Sequence, residues 1–73
     1  MRASELSAEL RRLYHGAAAG EKVTNIHLFG IRFADHLSGQ ALRDICLEAD
    51  VPVSYVAEIH KGIRLAPHVS ARS

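Results

Sequence analysis

The stretch Leu42–Arg64, LRDICLEADVPVSYVAEIHKGIR, constrains the fold of this chain more than any other. Leu42, Ile45, Cys46 and Ala49 recur at helical spacing and give one apolar face. Asp50-Val51-Pro52 then interrupts the pattern, because proline cannot continue a helix from the preceding turn but is tolerated at a helix start. Val56 and Ile59 resume it. Two short amphipathic helices with so tight a break must bury their faces by crossing steeply, with their axes close. The residues suit that crossing. Cys46 is small where the second helix passes over the first. Asp50 stands where the turn needs a positive φ, which aspartate tolerates better than most residues. Val51 supplies an apolar plug directly after it.

The rest of the chain reads as further helix. Ser4 is an N-cap candidate for a first helix ending near His15, with Leu6, Leu10 and Leu13 as its apolar stripe. Thr24 is the corresponding candidate for a second, roughly Asn25–Leu37, burying Ile26, Phe29, Phe33 and Leu37. Gly30 weakens the interior of that helix by about 1 kcal/mol relative to alanine, which a close helix approach or simple tolerance would explain. The third and fourth helices are expected at roughly Gln40–Ala49 and Val53–Lys61, with Gly62 as a left-handed C-terminal cap. The expected architecture is therefore all-α. It is one small four-helix domain over residues 1–73, with a helix-turn-helix at 42–62 and an irregular, flexible tail from about Ala66 to Ser73.

The segment resembles the helix-turn-helix of the Cro/cI/Xre type of bacterial and phage repressors, and Ser54–Arg64, SYVAEIHKGIR, reads like the recognition helix and exit of the Xre-type proteins. Two positions depart from that pattern. Pro52 replaces a frequent serine or threonine cap, and Asp50 replaces the usual glycine. The whole chain is also similar to a small bacterial family described as HTH-like, with the segment HLFGIRFAD at its centre.

The resemblance implies a small transcriptional regulator that binds double-stranded DNA with its second motif helix in the major groove. The outward positions are then Val53, Ser54, Ala57, Glu58 and Lys61. Ser54 suits a phosphate or a base edge, Glu58 a cytosine amino group, and Val53 and Ala57 thymine methyls. Lys61 and Arg64 suit phosphates, as do Gln40 and Arg43 near the start of the third helix. A homodimer is expected, because one helix in one groove gives little affinity. Either the leucines of the first helix or the off-face pair Leu28 and Ile31 would supply its interface. The rival reading is a protein-interaction module on the same fold, motivated by a net charge of only +1 and a reading face without central Arg, Asn or Gln. The charge is unevenly spread, for no acid follows Glu58 whereas Lys61, Arg64 and Arg72 do.

Other classes lack their signatures. The five histidines are not spaced as metal ligands, and the single cysteine, Cys46, excludes both an intramolecular disulfide and a cysteine-based zinc site. Cys46 occupies the crossing position, where a buried structural cysteine is expected rather than a nucleophile paired with His60. No phosphate-cradling glycine loop or carboxylate pair is evident, so no enzyme activity, cofactor, metal or small-molecule substrate is expected. No apolar run approaches the roughly 20 residues of a membrane span. The N-terminal MRASELSAEL lacks the apolar core of a signal peptide, and a cytoplasmic location is expected.

Overall fold

The computed structural model describes residues 1–69. They form five α-helices and two short 3-10 turns, and no strand is found among them. The expected tail falls partly outside this range, Arg72 included. Within the range it begins as a 3-10 turn, Ala66–His68.

Helix α1 runs Ala3–His15. It starts one residue before the expected cap, because Glu5 reaches back and accepts the Arg2 backbone N–H at 2.7 Å. The acid also sits in the first turn, where the helix dipole favours it. Leu6 and Leu10 are fully buried and Leu13 packs on the core beside them.

Helix α2, Lys22–Arg32, begins earlier than Thr24 as well. Its first turn is bound to the end of α1. Lys22 donates to the Tyr14 carbonyl at 2.9 Å and lies 4.2 Å from the centre of the Tyr14 ring. Asn25 donates to the Leu13 carbonyl at 2.9 Å. Two of the last α1 carbonyls, which have no partner within their own helix, are satisfied this way. The expected single helix through Leu37 breaks at Phe33 (φ −108°, ψ 18°) and resumes as the one-turn α3, Ala34–Leu37. The bend keeps both Phe29 and Leu37 buried, with Phe33 against Phe29 at 5.4 Å between ring centres.

Helix α4, Leu42–Glu48, directs Leu42, Ile45 and Cys46 inward. After a 3-10 turn at Val53–Tyr55, α5 runs Val56–Leu65. It continues past the expected stop at Lys61, and Gly62 lies within it as a helical residue rather than as a left-handed cap. The reason is a backbone-to-backbone contact with α2. A Cβ built on Gly30 would fall 3.0 Å from the Gly62 Cα and 2.5 Å from the Ile59 carbonyl oxygen. One built on Gly62 would strike the His27 carbonyl. The glycine pair lets α2 and α5 approach more closely than any side chain permits, and they form the most extensive helix pair of the fold. No described helix is long and apolar enough to cross a membrane.

Candidate nucleic-acid interface

The turn between α4 and α5 follows from local chemistry. Asp50 adopts φ 58°, the left-handed conformation required there. Its N–H donates to the Leu47 carbonyl at 3.2 Å, and the Val51 N–H donates to the Cys46 carbonyl at 2.9 Å. This pair of bonds is a Schellman motif with aspartate in the glycine position, and it satisfies carbonyls that the helix end leaves free. The accompanying apolar contact is supplied by Val51 and Cys46, 3% and 0% exposed. Burial pushes the Cys46 thiol pKa up, so the sulfur acts as a small packing group and not as a thiolate.

A second restraint on the turn comes from a distance. His15, at the end of α1, places Nε2 3.2 Å from the Ala49 carbonyl and 3.0 Å from that of Asp50. Both are acceptors, so Nε2 carries the proton. The ring thereby closes the last carbonyls of the α4 end. Tyr14, beside it, packs edge-on against Tyr55 at 5.4 Å, tying α1 to the turn that precedes α5. Burial first and Tyr55 second raise the Tyr14 phenol pKa. Replacing His15 by alanine is expected to lower stability by about 1 kcal/mol, the worth of one such bond. Urea denaturation measures it, and an unchanged midpoint would remove His15 from the support of the turn.

On α5, Ile59 and Gly62 face inward, with Val56 and Ile63 half-buried beside them. Ala57, Lys61 and Arg64 follow at helical spacing on the opposite, exposed face, and exposed Ser54 precedes them in the 3-10 turn. Arg43 is exposed in the first turn of α4, and Gln40 lies in the loop before that helix rather than within it. Val53 is half-buried and packs against the core, so only part of its side chain faces outward.

Glu58 stands apart from the other expected contacts. Its Oε1 accepts from His27 Nε2 at 2.7 Å and its Oε2 from Lys61 Nζ at 3.2 Å. Both carboxylate oxygens are thus engaged within the protein, and a cytosine contact would require the His27 pair to open. Nothing local in the sequence signals this role for His27, because its partner lies 31 positions away. The bond from His27 first, then that from Lys61, lowers the Glu58 pKa. The ionised carboxylate is therefore the form that the fold favours. The stability it adds is present above the ordinary carboxylate range and is lost as pH falls through its lowered pKa. Glu58→Gln is expected to flatten that part of the acid limb in urea midpoints taken from neutrality to below about pH 4. A limb as steep as that of the wild type would contradict the pairing.

Two helices joined by a Schellman turn, with a small buried residue in the first and an exposed, partly basic face on the second, define a helix-turn-helix protein. A sequence profile of the HTH-like domain matches residues 2–72, and the chain belongs to that family. The family description points to DNA binding of the helix-turn-helix type. No curated protein and no solved structure matches the chain.

Proposed function

We propose that this protein is a small transcriptional regulator that places α5 in the DNA major groove, in the manner of Cro/cI/Xre-type repressors. The observation that carries the reading is the outward face of α5. Ala57, Lys61 and Arg64 are exposed there, exposed Ser54 stands in the 3-10 turn just before it, and the single acid of that helix is bound to His27 and Lys61. Ser54 offers a hydroxyl to a base edge or phosphate, and Ala57 a methyl to thymine. Lys61 and Arg64 meet phosphates from α5, and Arg43 and Gln40 do so from the start of α4. Glu58 acts chiefly as a positioning residue, holding Lys61 and securing α5 to α2. Fluorescence anisotropy with duplex DNA, at low and moderate salt, tests the reading. Binding that weakens steeply with salt is expected. No binding even at low salt, together with capture of one stoichiometric protein, would favour a protein-interaction module instead.

The working form is proposed to be a homodimer, since two half-sites supply the affinity that one helix lacks. Of the two candidate interfaces, the α1 stripe is consumed, because Leu6 and Leu10 are 0% exposed. Leu28, 49% exposed on α2, is free to meet a second copy, with half-buried Ile31 beside it. Leu28→Lys is expected to yield folded monomers in sedimentation equilibrium, with an unchanged helical circular dichroism signal, and to weaken DNA binding. A dimer of unchanged strength would exclude this surface.

A further inference from the structure

We propose that the groove along one flank of α5 seats the sugar–phosphate strand forming a wall of the DNA major groove, an inference that rests on the DNA-binding reading above. A helix with its side chains is about 10–12 Å across, and the major groove is about 12 Å wide. A helix seated there has a phosphodiester strand along each flank. The two flanks of α5 differ. One carries Glu58, closed off by His27 and Lys61. The other opens into a groove between the loop at Ser38–Gln40, the first turn of α4, and α5.

Ser38, Gln40, Arg43 and His60 line the rim of this groove, and Leu42 and Ile63 are part of its floor. Every rim side chain carries a hydrogen-bond donor, His60 in either tautomer. Among the described residues, none of the four side chains hydrogen-bonds to another, and no carboxylate lines the groove. Donors around one fixed cation, with no competing acid, are what a phosphodiester requires. The apolar floor suits the carbons of the adjoining deoxyribose. Ser38 and His60 thereby join the interface, although neither faces the bases. Their contacts add affinity for every sequence alike.

The test compares the full-length wild type with Ser38→Ala, His60→Ala and Arg43→Gln by anisotropy on two unrelated fluorescent duplexes over a salt series. Ser38→Ala and His60→Ala are each expected to bind about threefold more weakly, the effect of one lost hydrogen bond. Arg43→Gln is expected to bind about tenfold more weakly, with the slope of log affinity against log salt reduced by about 1. The losses should be equal on both duplexes. Ser38, Arg43 and His60 are exposed, so melting curves should match the wild type and separate lost contacts from lost folding. Wild-type affinity and slope in all three folded variants, with the wild type binding DNA, would overturn the groove alone. A wild type that binds no DNA would overturn the groove and the DNA-binding reading together. Inorganic phosphate, titrated into isotope-labelled protein, distinguishes the remaining source of the same chemistry. Weak, unsaturated shifts are expected, and tight saturation at these residues would assign the groove to a free anion and overturn the proposal.

Discussion

Gly62→Ala is expected to lower stability by about 3 kcal/mol or more, at the upper end of what overpacking costs. The added Cβ would strike the His27 carbonyl and stand 3.0 Å from the Gly30 Cα. These neighbours are backbone, so no rotamer change relieves them, and α5 must shift away from α2. Helix propensity alone predicts the opposite sign, a gain of about 1 kcal/mol for alanine over glycine. The sign of the change in urea midpoint therefore decides whether the close crossing exists. For so small a domain, with about 5 kcal/mol in total, the expected loss raises the unfolded fraction more than about 100-fold. Gly30→Ala meets the Ile59 carbonyl oxygen at 2.5 Å and should behave in the same way.

The second large effect falls on binding rather than folding. Lys61→Gln combined with Arg64→Gln removes the two cations that α5 presents outward. Each phosphate contact contributes about 0.9 to the salt slope, so the double variant should lose about 2 from it and bind about 100-fold more weakly at low salt. Lys61 is 60% exposed and Arg64 is exposed, so its melting temperature should stay close to that of the wild type. An unchanged slope would remove both residues from the interface. Ser54→Ala should differ in kind, changing preference among sequences while leaving the salt slope intact.

The helix-turn-helix was legible because its determinants are local. A left-handed residue, an apolar plug and a small crossing residue stand within five positions, at Cys46, Asp50 and Val51, and each has a chemistry that sequence displays. The second helix was harder. Ile26, Phe29, Phe33 and Leu37 keep helical spacing across the break, and the bend at Phe33 serves the placement of α3 in the core, which periodicity does not record. Gly62 shows the same limit. A glycine near the end of an apolar pattern reads as a cap, whereas its role here depends on Gly30 in another helix. The candidate site divides likewise. Ser54, Ala57, Lys61 and Arg64 follow from helical phase alone. The binding of Glu58 by His27 and the support of the turn by His15 join residues 31 to 35 positions apart. The groove containing Ser38 and His60 exists only once the loop before α4 is folded against α5.

The placement of α5 in DNA is tested most directly by mapping amide chemical shifts of labelled protein as duplex DNA is added. The account predicts that the largest changes fall on Ser54, Ala57, Lys61 and Arg64, with a second set at Gln40 and Arg43, while the buried stripe of α1 is little affected. Changes centred on α1 or on Leu28, with the α5 face silent, would contradict it.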